Sequence, residues 1–307
     1  MNSILKTSAL TKKYKRHMAV NGVDMNINRG DIYGFVGENG SGKTTVIRLI
    51  TGLISPYSGE FSLFSVSNKS KDIGKARSKI GAIVETPSIY LNMSAYDNLK
   101  MQSTLLGIKD EGKILSVLTD VGLEALYKDK KKSANFSLGM RQRLGIAMAL
   151  MGDPEFLILD EPMNGLDPAG IVEIRELILR LNRERNITFL ISSHILTELS
   201  LVATKYGIIS KGKLIKEITA DELHNECTKT TVITSDNPQK LTEVVKDFLP
   251  DANVQLVPEG LKIIGEICLN SVLGKIINEG VNILTINSSE TSFEEYYLSL
   301  IGGANND

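Results

Sequence analysis

The sequence contains very little cysteine: Cys227 and Cys268 are the only two among 307 residues. They lie far apart, and neither belongs to a CxxC pair or to a Cys/His cluster. The sequence therefore gives no support to a disulfide framework or to a zinc site. So few thiols are typical of a protein from a reducing compartment.

Long apolar segments are also missing. The longest apolar runs fall far short of the roughly 20 residues that a membrane-spanning helix needs. Residues 1–16 have neither the sustained apolar core nor the small-residue cleavage site of a secretory signal peptide. We therefore expect a cytoplasmic protein, in which any connection to a membrane must come through a partner.

No surplus of one charge is present either. Lys and Arg number 35 against 36 for Asp and Glu, which gives a formal net charge of -1. Proteins that bind nucleic acids generally carry a basic surplus, so this balance argues against a nucleic-acid partner. The length suits one large domain followed by a small one.

Five short segments, by contrast, follow one another in an order that carries chemical meaning. Each could arise alone by chance or serve another purpose, so the prediction depends on finding them together. They are GENGSGKTT (37–45), IVETP (83–87), FSLGMRQR (136–143), LILDEP (157–162) and SSH (192–194).

The first segment matches the phosphate-binding pattern G-x-x-x-x-G-K-[ST]. An apolar strand pattern precedes it and a helical pattern follows it, as such a loop requires; a glycine-rich turn without a ligand is the weaker alternative. We expect Lys43 to reach the β- and γ-phosphates of a nucleoside triphosphate and Thr44 to bind Mg²⁺, although the loop alone does not say which nucleotide is bound. The predicted nucleotide-binding residues of the loop are Gly37, Asn39, Gly40, Ser41, Gly42, Lys43, Thr44 and Thr45.

Three further candidates end apolar strand patterns, where α/β sheets bind their ligands. Asp160 is predicted to hold Mg²⁺, and Glu161, on the other side of the strand end, to act as the general base. His194 is predicted to contact the γ-phosphate. Taken singly, the first two could merely form a polar turn, and the histidine could be structural. Their place beside the phosphate-binding loop favours the catalytic interpretation.

The segment FSLGMRQR predicts a second anion site. Ser137 can cap the helix that follows, whose free N–H groups attract an anion. This segment lies in a helical insert, away from the phosphate-binding loop in sequence. Two separate phosphate sites suggest a head-to-tail homodimer in which each copy completes the other's site. An ordinary capped helix is the alternative.

With all five segments in order, residues 1–216 resemble the ATP-binding subunit of an ATP-binding cassette (ABC) transporter. The resemblance implies ATP hydrolysis with Mg²⁺ and integral-membrane permease partners. It also implies that Tyr14 stacks on adenine, although an exposed tyrosine among lysines would look the same. Ser137 and Gly139 would contact ATP, and Asp167 would end the loop that crosses the dimer interface.

The chain departs from the common family pattern in three places, of which Met163, where threonine or serine is frequent, carries little meaning. The usual LSGGQ reads Phe136-Ser137-Leu138-Gly139-Met140, which affects the ribose-side contact rather than the phosphate cap. Glu85 stands where the family has glutamine, and a carboxylate is a harder ligand for Mg²⁺ than an amide.

We therefore predict that Glu85 is a catalytic residue that ligates the metal and couples hydrolysis to the permease. A tolerated surface variation is the alternative. Glutamate here, together with the SLGM signature, resembles a narrower group of exporters, those of bacitracin-type resistance and of lantibiotic self-immunity in Gram-positive bacteria.

The predicted fold is an α/β ABC ATPase core with a mixed sheet, antiparallel strands and a helical subdomain. The core spans 1–218, with the helical subdomain at about 90–152 and a candidate linker at 219–229. Residues 219–307 form a small α+β domain, in which the order βαββαβ suggests a ferredoxin-like fold.

Three other functions are weighed against the exporter of peptide antibiotics. One is an ABC ATPase of another exporter type. A translation-associated ABC ATPase usually carries tandem cassettes or coiled-coil arms, and neither is visible. A P-loop kinase would leave FSLGMRQR and the terminal histidine unexplained.

Overall fold

A six-stranded sheet and a smaller antiparallel sheet form the first of two units in the computed structural model. The units comprise residues 1–220 and 221–307, and the structure describes residues 3–227, 229–290 and 292–303. The strands of the first unit are β1 (Ser3–Tyr14), β2 (His17–Val23), β3 (Asn26–Asn28), β4 (Ile32–Val36), β5 (Ser58–Leu63), β6 (Val66–Ser67), β7 (Ile80–Ile83), β8 (Phe156–Asp160), β9 (Thr188–Ser193), β10 (Lys205–Ser210) and β11 (Lys213–Thr219).

The six-stranded sheet has the order β11-β10-β4-β9-β8-β7, and every neighbouring pair is parallel except β10 with β11. Every residue of β4, β8 and β9 is buried. This explains the near-continuous apolar sequence of these strands, since helices cover both faces of such sheets. Their carboxyl ends consequently meet at one edge, where the candidate residues follow.

The antiparallel sheet has the order β2-β1-β5-β6, and β3 also pairs with β1. The sequence predicts a single strand over 59–66, but the structure divides this segment into β5 and β6. Phe64 and Ser65 have positive φ values of 49° and 65°, and they join paired residues Leu63 and Val66 as a two-residue hairpin loop. A turn of this kind normally carries Asn-Gly, so the residue pair Phe64-Ser65 does not predict it.

Seven α-helices belong wholly to the described part of this unit, besides two short 3-10 helices at Glu124–Leu126 and Ser133–Asn135. Three of them, α3 to α5, form the helical region between β7 and β8, within the expected subdomain. The helices are α1 (Lys43–Thr51), α2 (Ile73–Arg77), α3 (Ala95–Leu106), α4 (Gly112–Asp120), α5 (Leu138–Leu150), α6 (Pro168–Arg185) and α7 (Leu196–Ser200). None of the helices among the described residues is long and apolar enough to cross a membrane.

The buried hydroxyl group of Tyr33 in β4 connects this strand to side chains of β10 and β11. The Tyr33 hydroxyl donates to Glu217 Oε1 at 2.7 Å, and Lys205 Nζ lies 3.3 Å from the other oxygen of that carboxylate. Burial, reinforced by Glu217, raises the pKa of Tyr33 well above its ordinary value. Gly207 makes room for the ring, since a Cβ there would lie 2.0 Å from the hydroxyl. Strand β4 is thereby held firmly just before the phosphate-binding loop begins.

The second unit is a four-stranded antiparallel sheet in the order β13-β14-β12-β15. The chain order βαββαβ with this strand order is the ferredoxin-like arrangement expected from the sequence. Ile233, Leu261 and Ile263 form its core with apolar residues of the two helices between the strands. The elements are α8 (Ala220–Glu226), β12 (Lys229–Ser235), α9 (Pro238–Phe248), β13 (Asn253–Val257), β14 (Gly260–Ile264), α10 (Leu269–Asn278), β15 (Ile283–Glu290) and α11 (Phe293–Gly303). Helix α8 thus lies in the segment expected to be a linker.

Candidate nucleotide-binding site

The loop between β4 and α1 follows a path that only glycine allows at three positions. Gly40 and Gly42 have φ values of 81° and 113°, in the left-handed region. At Gly37 a Cβ would lie 2.4 Å from the carbonyl oxygen of Ile209. No side chain caps the start of α1, so its first N–H groups can bind an anion.

Two buried polar side chains of this loop fit a phosphate-bearing nucleotide. The hydroxyl of Ser41 is buried and has no hydrogen-bond partner among the described residues. A phosphate oxygen would supply the acceptor that such a hydroxyl needs. Lys43 is 5 % exposed, and its Nζ donates to the carbonyl oxygens of Gly37 at 2.6 Å and Glu38 at 3.2 Å. The ammonium group of Lys43 is therefore held against the backbone of the loop.

Asp160 receives a hydrogen bond on each carboxylate oxygen. Thr44 Oγ1 donates to Oδ2 at 2.9 Å, and Ser192 Oγ donates to Oδ1 at 2.5 Å. These oxygen groups suit Mg²⁺, which typically takes one or two protein carboxylates together with substrate phosphates. The described residues contain no group of three or more His, Cys, Asp or Glu side chains able to hold a metal.

Glu161 lies between a cation and an imidazole. Its carboxylate is 3.3 Å from Lys43 Nζ and 2.8 Å from His194 Nδ1. Its φ of 50° is in the left-handed region, which is uncommon for glutamate and is often found at functional sites. Its N–H donates to Ser192 Oγ at 2.9 Å. The carboxylate of Glu161 therefore points away from Asp160 and toward the lysine and histidine.

Ser192 is a further candidate site residue, which the sequence alone does not identify. It is fully buried in β9, where the parallel register places it beside Asp160. Its hydroxyl donates to Asp160 and accepts the N–H of Glu161. A polar residue within the apolar run 187–193 was the available signal, but its partner depends on the pairing of β8 with β9.

Glu85 follows β7 and contacts helix α1 through an ion pair with Arg48. Arg48 lies four residues after Thr44 on that helix. The Glu85 side chain is 60 % exposed, and its φ is 65°. The structure thus brings this carboxylate to the helix of the phosphate-binding loop, where its partner is a guanidinium group. Ligation of Mg²⁺ by Glu85 stays a prediction.

The second predicted anion site forms a separate cleft of about 460 Å³. Ser137 accepts a hydrogen bond from the N–H of Met140 at 3.1 Å and caps α5. Asp167 accepts from the N–H of Gly170 at 3.0 Å and caps α6. Gly139 also lines the cleft, whereas no residue of the phosphate-binding loop does so. Two helix N-termini therefore meet here, apart from the loop's own site.

The remaining candidates are more exposed. Tyr14 ends β1 with 41 % of its surface exposed, and Lys12 Nζ is 5.3 Å from its ring centroid. Asn39 is exposed at the tip of the loop, and Thr45 is half-buried in α1. Their positions leave their side chains accessible to a ligand.

Comparison with known proteins agrees with this geometry. The model of the ABC transporter family matches residues 20–164. Bacitracin transport ATP-binding protein BcrA of Bacillus licheniformis is 42% identical over 99% of both chains. Lantibiotic transport ATP-binding protein SrtF of Streptococcus pyogenes is 45% identical over 72% of this chain and 93% of its own.

Solved structures show the same likeness. The structure of cbiO1 from Clostridium perfringens, part of the ABC transporter complex cbiONQ, has a TM-score of 0.66 and 28% identity. It covers 81% of this chain and 97% of its own. An ADP-bound ATP-binding cassette of another ABC transporter has a TM-score of 0.65 at 26% identity, covering 72% of this chain and 93% of its own.

Replacement of Ser192 gives a direct test of the metal site. Ser192→Ala should weaken Mg²⁺-dependent binding of ATP by about tenfold or more, because side chains that orient a metal ligand typically contribute that much. Binding of ATP without Mg²⁺ should change little. Titration of a fluorescent ATP analogue with and without the metal measures both affinities.

Ser193→Ala is the matched control for this measurement, since among the described residues the hydroxyl of Ser193 bonds only to the backbone of Ile195. Equal affinities for the two variants would contradict a role for Ser192 at the metal site.

Proposed function

The chain belongs to the ABC transporter family as an ATP-hydrolysing subunit, and we propose that it powers export of a peptide antibiotic. The cargo would be of the bacitracin or lantibiotic kind and would leave through separate permease subunits. The 42% identity to a bacitracin transport protein over 99% of both chains is the observation that carries this proposal. The shorter match to a lantibiotic transport protein supports it.

The chain's own residues would divide the work of hydrolysis. Lys43, Ser41 and the N–H groups at the start of α1 bind the phosphates, and Glu161 accepts a proton from the attacking water. His194, 2.8 Å from Glu161, orients that carboxylate and faces the γ-phosphate. Mg²⁺, when bound, offsets the charge of the phosphates, and Thr44 and Asp160 are the residues that would hold it.

We propose that ATP joins two copies head to tail. The cleft that contains Ser137 is separate from the phosphate-binding loop of the same chain. A second copy would bring its capped α5 to this loop, so that the helix N-terminus faces the nucleotide. Asp167, in the same cleft, would lie at the interface between the copies.

The permease would dock in a groove of about 550 Å³ between β7 and the helices α3 and α5. Apolar residues such as Leu53 and Met148 line it together with the segment that follows Glu85. Gly145 of α5 approaches this segment closely, since a Cβ there would lie 2.5 Å from Pro87. Movement of the segment would therefore press on the helix that Ser137 caps. Such a subunit would work at the cytoplasmic face of the membrane, without a nucleic-acid partner.

Dimer formation gives the first test. Glu161→Gln should lower kcat for ATP hydrolysis at least about 100-fold, because it removes the general base. The variant should form a dimer on addition of ATP, detected by light scattering after size exclusion. Adding Ser137→Ala should reduce the dimer fraction severalfold, while Ser116→Ala on the exposed side of α4 should not. An undiminished dimer in the Ser137 variant would contradict the head-to-tail arrangement.

The cargo is tested by drug resistance. Expression with its permease in a sensitive Gram-positive host should raise the inhibitory concentration of bacitracin or of at least one lantibiotic severalfold. The Glu161→Gln variant should give no protection, because export requires hydrolysis. If the host gains protection against none of the peptides while the permease still stimulates hydrolysis in vesicles, the proposed peptide cargo is wrong. The assignment to an exporter would then still stand.

Coupling is tested at Glu85. Glu85→Gln should lower the permease-stimulated rate of hydrolysis and the transport rate severalfold, because it removes both the charge and the ion pair with Arg48. Glu60→Gln, which breaks the exposed pair with Lys69, is the matched control. Unchanged hydrolysis and transport in the Glu85 variant would show that the carboxylate is a tolerated surface variation.

A further inference from the structure

We propose that a basic edge of the helical region binds the anionic phospholipid headgroups of the membrane beside the permease. The basic edge consists of residues 128–132, with the sequence KDKKK, and the neighbouring loop 90–93. The proposal rests on the proposed function, since it requires that the protein work at a membrane.

Four lysines give the basic edge its charge. Lys128, Lys130, Lys131 and Lys132 are all exposed, and Asp129 is the only acidic residue among them. Ion pairs nearby use other residues, such as Lys100 with Glu111. None of the four lysines forms an ion pair within the described part of the chain, and Lys130 interacts electrostatically at longer range with Asp97. Because the whole chain has a net charge of only -1, this concentration of positive charge is local.

Hydrogen bonds of Ser133, the residue directly after the lysines of the basic edge, join residues 128–132 to loop 90–93. Asn98 is fully buried, and its amide group bonds both the N–H of Tyr90 at 2.8 Å and the carbonyl oxygen of Tyr90 at 3.1 Å. The same side chain donates to Ser133 Oγ at 3.2 Å. The N–H of Ser133 donates to the carbonyl oxygen of Met93 at 2.8 Å. The two segments therefore form one surface of fixed geometry.

Apolar side chains complete this surface. Tyr90 is 47 % exposed and Leu91 is 48 % exposed, on a loop that the Asn98 bonds hold rigid. Lysines beside an exposed tyrosine and leucine are typical of surfaces that lie at a membrane interface, where the charges meet phosphates and the rings reach the headgroup level.

The position of the loop also favours a membrane. Residues 86–88, which precede it, line the groove proposed for the permease. A protein docked there brings the adjoining basic edge close to the cytoplasmic leaflet, which is negatively charged.

The composition favours lipid headgroups over a partner protein. Residues 128–132 contain lysine and no arginine. The planar guanidinium group of arginine matches the geometry of one carboxylate, whereas the lysine ammonium group is a point charge on a flexible side chain. Mobile anionic headgroups need no fixed geometry. An acidic segment of the permease is the competing partner, and the experiment separates the two.

The edge also lies next to the signature segment. Lys131 Nζ is 5.8 Å from the ring centroid of Phe136, and Phe136 directly precedes Ser137, the cap of α5. Contact with lipid would thus restrict the motion of the segment that precedes Ser137 and the second predicted anion site.

Co-sedimentation of the full chain with vesicles, without permease or nucleotide, tests the proposal. We expect binding to phosphatidylcholine vesicles that contain phosphatidylglycerol and none to phosphatidylcholine alone. High salt should release the protein, because it screens the charges. Replacement of three lysines by glutamine should weaken binding by about tenfold or more. The test variant is Lys130→Gln with Lys131→Gln and Lys132→Gln.

Two further variants make the result decisive. Conversion of the same three lysines to arginine keeps the charge and should keep the binding. A triple glutamine variant of exposed lysines elsewhere changes the net charge equally and should bind as the unmodified chain does. That control replaces Lys69, Lys71 and Lys75.

Equal binding by the test and control variants would overturn the proposal, as would equal binding to neutral vesicles. Binding that needs permease in the vesicles, whatever the lipid charge, would assign the basic edge to a protein partner instead. None of these outcomes depends on antibiotic resistance, so a failure here is distinct from a failure of the proposed function.

Discussion

The parallel pairing of β4, β9 and β8 is the constraint on which the candidate site depends. These strands are buried on both faces, and their register places Asp160 beside Ser192 and Val36 beside Ser193. Every residue that follows one of the three strands therefore emerges at the same edge of the sheet. The buried apolar core thereby sets the positions of polar groups that would otherwise be scattered over 150 residues of chain.

Within this sheet, a small hydrogen-bonded group holds two neighbouring carboxylates in different positions. Ser192 bonds the side chain of Asp160 and the backbone of Glu161, which is the next residue in the sequence. Asp160 is left facing Thr44, where a metal would lie. The left-handed backbone of Glu161 sends its carboxylate toward Lys43 and His194. One buried hydroxyl group thus separates the residue suited to the metal from the residue suited to the water.

The segment after β7 connects this site to the surfaces on which partners would act. It begins with Glu85, paired with Arg48 on the helix of the phosphate-binding loop. It continues through Pro87, against which Gly145 of α5 packs, and ends at the loop fastened by Asn98. A displacement at the membrane side would therefore reach both the loop that binds phosphate and the helix capped by Ser137. A glutamine at this position could not form an ion pair with Arg48, so the connection depends on the carboxylate of Glu85.

Features that depend on neighbouring residues could be predicted from the chain alone. The glycine pattern around Lys43, the apolar strands that end at Asp160 and His194, the serine before α5 and the βαββαβ order are all local, and the structure contains each of these elements. Features that depend on contacts between distant segments could be found only in the folded protein. The hydroxyl of Ser192 gains its partners from strand register, Glu85 meets Arg48 through packing, and the hairpin at Phe64 needs a backbone that its residues do not favour alone. These contacts join segments whose spacing in the sequence does not predict that they meet. They are stabilised by the folded sheet and the helices that cover it.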